Sequence, residues 1–308
     1  MTRMFDAAAC NLPACALQQH PNFAAALQSI GQRAIRLGDA PGLLAVQRRL
    51  TGGVRLALFS RVRVGAPERL REVLQGGGLH RHLILLSPDR PTPELARIGA
   101  VPLMTPGVAA AMDLRPPPEV RRAALHQKWR NRLVHAERQP LRVRRQNLPI
   151  NSDHWLLQAE TARAVNIGYR HWPTALTLAY ARENRGAAKL FTAFEGDTAV
   201  AAMLFLRHGC CASYHIGHIT ARGRAVSAHN LLLWRASCWL ADKGHDHLDL
   251  GLIDTVRAPG LARFKLGSGA QILQLGGTWG WWPPLGKTLR PLARLDRRAM
   301  LADSSSLN

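Results

Sequence analysis

Apolar residues recur along this chain in two rhythms. Some stretches alternate or run apolar over a few residues, as strands do, and others place apolar residues three and four apart, as helices do. Phe23, Leu27, Ile30 and Ile35 follow the helical rhythm and Gly38 supplies a stop, so a helix is predicted over Asn22–Leu37. Leu43–Val46 and Val54–Phe59 read as strands around Gly52-Gly53, a hairpin signal. A short helix, Ala66–Leu74, closes at Gly76-Gly77-Gly78. The strand His82–Leu86 follows, then the turn Ser87-Pro88-Asp89-Arg90-Pro91 and a short helix, Pro93–Ile98. Three prolines, Pro116 to Pro118, interrupt the pattern. After them one long helix is expected over Glu119–Arg138, with Leu125, Trp129 and Leu133 along one stripe and basic residues on the rest.

The second half opens with a basic strand, Leu141–Arg145. Helices are predicted over Asp153–Ile167, capped by Ser152 or Asp153, and over Thr174–Glu183. Three strands come next, Leu190–Phe194, Ala199–Leu206 and Ala212–His218, the first two joined at Glu195-Gly196-Asp197. A basic loop, Ala221–Ala225, leads to an apolar helix, Ala228–Asp242, and then to the strand Leu248–Leu250. The halves are weakly self-similar. His82-Leu83-Ile84-Leu85, followed by Leu95-Ala96-Arg97-Ile98, is matched by His247-Leu248-Asp249-Leu250, followed by Leu261-Ala262-Arg263-Phe264. A duplicated mixed α/β unit would produce this.

Composition adds a partner class. The 308 residues carry 41 Lys+Arg against 20 Asp+Glu, a formal net charge of +21. Arg dominates, and its planar fork suits phosphate, so a nucleic acid, a nucleotide-linked substrate or an anionic membrane surface is implied. An Arg-rich codon bias would give the same excess. The five cysteines, Cys10, Cys15, Cys210, Cys211 and Cys238, lack the spacing of a disulfide framework or a zinc site, and a reducing cytoplasm is expected. No apolar run approaches bilayer length, and no apolar segment precedes Leu12-Pro13-Ala14-Cys15, so neither a spanning helix nor a signal peptide is read.

The most informative stretch is Asp246 to Trp279. It reads as a strand ending at Gly251, a loop, a basic segment centred on Phe264-Lys265, the turn Gly267-Ser268-Gly269 and a second strand. This puts a lysine at the mouth of a sheet, where it can stabilise charge developing on a carbonyl oxygen. A surface lysine beside a core phenylalanine is the plainer alternative. Arg222, Gly223 and Arg224 precede a helix start near Ser227, an arrangement that suits an anion or, equally, a solvated basic turn. Lys128, Arg130, Arg132 and Arg138 lie on the predicted basic helix. Asp113, Asp249 and Asp254 are candidate acids or bases. His245 and His247 share a strand face, but no third ligand accompanies them, so no metal is expected.

Four blocks resemble the Fem-type aminoacyltransferases of the GNAT-like acyltransferase superfamily: Ser87-Pro88 with Gly99-Ala100 and Asp113-Leu114; His126 to Arg138; the strand, basic loop and helix over 212–243; and Asp249-Leu250-Gly251 with Gly260 to Ala270 and Gly277-Thr278-Trp279. The resemblance implies duplicated GNAT-like α+β domains, each on a mixed sheet, joined by a basic helix with a cleft between them. The expected limits are a loosely ordered N-terminus (1–20), an N-terminal domain (21–116), the linking helix (117–140), a C-terminal domain (141–282) and a basic tail (283–308) able to touch an anionic membrane. It implies a cytoplasmic enzyme that moves an acyl or aminoacyl group from acyl-CoA or aminoacyl-tRNA to an amine, such as a peptide or cell-envelope precursor, with no tightly bound cofactor. In that reading Lys265 and Phe264 are catalytic and Arg222, Gly223, Arg224 and Ser227 hold donor phosphate. Lys128, Arg130, Asp113 and Asp249 bind substrate. Thr220 stands where GNAT enzymes carry Gln or Arg ahead of the phosphate turn. The alternative is a non-catalytic RNA-binding protein that kept the fold.

Overall fold

The computed structural model describes residues 16–38, 42–169, 171–285 and 288. In chain order the elements are α1 (Pro21–Ser29), β1 (Arg33–Leu37), β2 (Leu43–Arg49), β3 (Arg55–Val62), α2 (Pro67–Gly76), β4 (Leu83–Pro88), β5 (Val101–Met104), β6 (Val108–Asp113), α3 (Pro118–Ala123), α4 (Gln127–Glu137), β7 (Leu141–Asn147), α5 (Trp155–Ile167), α6 (Thr174–Glu183), β8 (Ala188–Glu195), β9 (Thr198–His208), β10 (Cys211–Ile219), α7 (Ala221–Ala225), α8 (Ala228–Asp242), β11 (His247–Ile253), α9 (Pro259–Gly267), β12 (Gln271–Gln274) and β13 (Thr278–Trp281). They form two compact units. One is built on residues 110–272, the other on residues 18–109 with the chain from 273 onward.

The unit on residues 18–109 holds a six-stranded sheet in the order β1-β2-β3-β4-β13-β5. Its first three strands are antiparallel neighbours, and β3 pairs parallel to β4 after the crossover through α2. Phe59, Leu74, Ile84, Leu86, Trp279 and Trp281 anchor its core. The unit on residues 110–272 holds a seven-stranded sheet, β12-β6-β11-β10-β9-β8-β7. Here β8, β9 and β10 are antiparallel, and β10 pairs parallel to β11 after the crossover through α8. The same three-strand meander, crossover helix and parallel fourth strand thus occur twice. The two segments matched in sequence fall on equivalent places, β4 with the 3-10 turn Pro93–Ile98 and β11 with α9.

Several expected elements change. The helix over Asn22–Leu37 is α1, a turn and strand β1, because Gly31 takes φ +76 and reverses the chain. The long basic helix Glu119–Arg138 is two helices, broken where Leu125 turns into the core and His126 caps α4 by accepting from Lys128 N–H. Residues 117–140, expected to link two halves, pack inside the unit on residues 110–272. Trp129, Leu133 and Ala136 of α4 belong to its core beside Leu231 and Leu232 of α8. The loop Ala221–Ala225 is the short helix α7, and the strand expected to end at Gly251 runs on to Ile253. His154, rather than Ser152 or Asp153, caps α5. From residue 286 onward only Thr288 is described. The amphipathic element expected in the tail and the loose N-terminus up to residue 15 lie outside the described residues. No helix among the described residues is long and apolar enough to cross a membrane.

Candidate functional site

The site begins with a sheet that opens. β10 and β11 pair only over Cys211–Ser213 and His247–Asp249, although both strands continue past that point. A bulge between Tyr214 and Ile216 bends β10 at the same place. Beyond the split, two carbonyls of β10 are met by side chains. Arg163 Nη1 donates to Gly217 O at 3.3 Å, and His229 Nε2 lies 2.9 Å from His218 O.

A cavity of about 1150 Å³ borders this stretch. α5 contributes Arg163 and Asn166, α4 Arg132, and α7 Arg224; the first turn of α8 contributes Ser227, His229 and Asn230, and α9 Gly260 and Phe264. A neighbouring cavity of about 650 Å³ shares Arg132, Gly260 and Phe264 and adds Lys128, Trp129 and Arg263. Five cations line the two spaces, and among the described residues no carboxylate does. An anionic ligand is the natural occupant of such walls.

The helix start sharpens this. No side chain caps α8, and the N–H groups of Ala228 and His229 have no partner among the described residues. Ser227 sits at φ 56, a left-handed conformation that costs a non-glycine residue energy and gathers at ligand sites. Asn230 is 5% exposed, and its Nδ2 has no hydrogen-bond partner. Uncapped N–H groups, the helix dipole and Arg224 together favour a phosphate. Gly223 lets α7 pack closely on β9, since a Cβ there would overlap Val200 O. Its N–H is already used, donating to Thr220 Oγ1 at 3.0 Å.

The histidines and the tyrosine beside the cavity are neutral at pH 7. Burial lowers His229 to about 4 and also lowers His218, and it pushes Tyr214 up to about 12.

The residues singled out from sequence scatter more widely. Phe264 lines both cavities, and its carbonyl accepts from Trp129 Nε1 at 3.0 Å. Lys265, one position on, turns inward. It is 5% exposed and its ammonium donates to Leu252 O at 2.8 Å, so it ties α9 to the end of β11 and is not among the residues lining either cavity. Burial lowers it to about 8 against the opposing pull of Asp249, which places its proton exchange near the working range of pH. Arg224 and Ser227 line the larger cavity. Arg222 instead forms a two-point ion pair with Glu195, at 2.6 and 2.8 Å. Lys128 lines the smaller cavity, whereas Arg130 Nη2 donates to the carbonyls of Ala123 and Leu125 and so closes the end of α3. Asp113 is held at about 2 by the hydrogen bonds of Arg115. Asp249 accepts from Gly251 N–H, and Asp254 from Val256 and Arg257 N–H, so both shape loops. His245 is buried against Arg207, which donates to it at 2.8 Å. Sequence reasoning missed Arg163, Tyr214, His229 and Asn230. Only His229-Asn230, a polar pair opening an otherwise apolar helix, left a signal.

Residues 124–266 match the family described as Acetyltransferase (GNAT) domain. This segment is a GNAT acyltransferase domain. It contains the split strands, the first turn of α8 and most of α9. A comparison with curated proteins finds no match. Among solved structures, FemX superposes with a TM-score of 0.74 at 13% identity, over 91% of this chain and 96% of that one. The C-terminal domain of a putative lysylphosphatidylglycerol synthetase from Agrobacterium fabrum gives 0.55 at 10% identity, over 96% of each chain. L-PGS from Bacillus licheniformis gives 0.53 at 13%, over 94% of this chain and 98% of that one. At such identities the likeness is one of fold, and the Fem-type architecture expected from the sequence holds at that level across both units.

Proposed function

We propose that the GNAT domain moves an acyl or aminoacyl group from a phosphate-bearing donor, an acyl-CoA or an aminoacyl-tRNA, to an amine. The observation that carries this reading is the 1150 Å³ cavity at the uncapped start of α8, walled by Arg132, Arg163 and Arg224 and by no carboxylate among the described residues. Donor phosphate sits at the α8 N-terminus with Arg224 and Ser227. Phe264 forms the wall along which the acyl group extends. The amine nitrogen attacks the acyl carbon, a C–N bond forms, and the C–O or C–S bond to the donor breaks. Its electron pair leaves on oxygen or sulfur, which takes up a proton. The driving force resides in the donor, so orientation is the protein's main contribution. An ammonium is disfavoured beside these cations, and the acceptor reacts as the neutral amine, its proton passing to water. Lys265 acts as a positioning residue, holding α9 and thereby Phe264 against the end of β11.

The test is mass spectrometry of acceptor amines and peptides incubated with the full chain and pools of acyl-CoAs and charged tRNAs, paired with calorimetric titration of CoA and of charged tRNA. A mass gain equal to one acyl or aminoacyl group is expected. Arg224→Glu should weaken donor binding about tenfold, a typical value for a charge-assisted phosphate contact. No mass gain with either pool, together with equal donor affinity in Arg224→Glu, would end this reading.

A further inference from the structure

The connection between α5 and α6 meets β10 around a separate cavity of about 240 Å³. Its walls are Glu160 of α5, Tyr169, His171 and Trp172 of the connection, and His215 and Ile216 of β10. Local geometry brings these side chains together. Gly168 ends α5 at φ 73 and turns the chain back, with Tyr169 N–H donating to Ala164 O at 3.2 Å. His215 is the extra residue of the β10 bulge, between the paired residues Tyr214 and Ile216, so the bulge and not the ladder aims its ring. Its Nε2 lies 2.9 Å from Thr177 Oγ1 of α6, which fixes the ring against that helix.

Four of the six lining side chains are aromatic rings. Trp172 and His215 have centroids 4.6 Å apart at 55°, and Tyr169 and His171 6.4 Å apart at 66°. Burial, with His171 nearby, lowers His215 to about 4, so at pH 7 it presents a neutral ring. The acid in the wall is Glu160. Its Oε1 accepts from the Tyr169 hydroxyl at 2.5 Å, and a carboxylate has lone pairs for further donors. Among the described residues Glu160 has no ion-pair partner. The lining is thus the reverse of the cavity at the start of α8: a carboxylate and aromatic rings, with no Lys or Arg among the described residues.

We propose that this cavity is a binding site for an alkylammonium group. Aromatic rings offer a cation their negative faces, and Glu160 supplies the counter-charge and hydrogen-bond acceptors. An anion would be repelled, and a neutral ligand would leave the carboxylate without a counter-charge. Arg163 lies 6.0 Å from the Tyr169 centroid, but it lines the larger cavity and donates to Gly217 O. It lowers the affinity for a cation without filling the space. The inference stands apart from the acyl-transfer reading, because none of the six residues lines either cavity of that site and binding needs no donor.

The test is a saturation-transfer NMR titration of the full chain at pH 7 with n-butylammonium, tetramethylammonium and, as neutral control, 1-butanol. n-Butylammonium should bind with a Kd on the order of 1 mM, and 1-butanol at least about tenfold more weakly. Glu160→Gln keeps an acceptor for Tyr169 and removes the charge; it should weaken n-butylammonium about tenfold. Trp172→Leu, which removes a ring and leaves the charge, should weaken tetramethylammonium about fivefold. Glu183→Gln, an equal loss of charge at an exposed position of α6, should stay within about twofold of wild type. Tighter n-butylammonium assigns the site to a primary amine and tighter tetramethylammonium to a quaternary one, and either supports the proposal. It fails if 1-butanol binds as well as the ammonium ions, or if neither ion binds by about 20 mM. It also fails if Glu160→Gln or Trp172→Leu, with a wild-type melting curve, binds both ions like wild type.

Discussion

Replacing Lys265 by methionine tests how the end of β11 is held. In the folded chain burial lowers this lysine from 10.5 to about 8, a cost of about 3 kcal/mol for the charged form. The hydrogen bond to Leu252 O works the other way and is worth about 1.5–3 kcal/mol as a charge-assisted contact. At pH 7 the two nearly cancel, so Lys265→Met should change stability by less than about 2 kcal/mol. The pH dependence separates them. Below pH 8 both the folded and unfolded chains carry the proton, and the folded state bears the full burial cost. Above pH 8 the folded chain releases the proton while the unfolded chain keeps it up to 10.5. Through that window the unfolded state binds more protons, and this group's contribution to stability rises with pH. The wild type should therefore gain about 3 kcal/mol on Lys265→Met between pH 7 and pH 10.5. Urea unfolding of both proteins followed by tryptophan fluorescence, repeated at each pH unit, measures the difference. A flat or falling difference would show that the ammonium is not desolvated and that the packing of α9 on β11 is misread.

Four further outcomes follow from the site. Gly223→Ala should lower stability by about 1–3 kcal/mol, read as a lower Cm, because the new methyl meets the Val200 carbonyl at 2.2 Å. Arg222→Ala should leave CoA and charged-tRNA affinity unchanged in calorimetry, since its guanidinium is engaged with Glu195; a loss equal to that of Arg224→Glu would restore Arg222 to the phosphate site. Arg130→Ala should cost about 1 kcal/mol of stability by baring the carbonyls that end α3, with no change in acyl transfer. The rate of transfer to an amine should climb from pH 6 to pH 9 with the deprotonation of the acceptor. No inflection from His229 should appear in that range, because burial holds the imidazole neutral down to about pH 4.

The sequence was most legible where one segment carries its own pattern. Thr174–Glu183 and Ala228–Asp242 were bounded correctly, and the repeated strand with Leu-Ala-Arg pointed to a duplication that both sheets display. Reading faltered where a single residue redirects the chain. Gly31 turned a helical stripe into a helix and a strand, and His126 cut a long helix in two. The site was legible only in part, because Phe264, Arg224, Ser227 and Lys128 lie on the cavity walls but their partners Arg163, Tyr214 and Asn230 come from other elements. Charge alone could not rank Arg222 against Arg224. One meets Glu195, twenty-seven residues earlier, and the other faces the cavity, because two positions along α7 put them on different faces of that helix.

β13 enters the first sheet between β4 and β5, and its Trp279 and Trp281 are almost wholly enclosed there. The chain must therefore complete the GNAT domain before it reaches the strand that closes the earlier sheet. On a ribosome the later-encoded unit can mature first, while the earlier one waits with β4 and β5 unbridged. A stop codon just after residue 272 would spare the bulk of the GNAT domain yet strip two tryptophans from the other core. Dissecting this protein into working halves thus calls for a permuted gene that joins residues 273–285 to the segment 18–109.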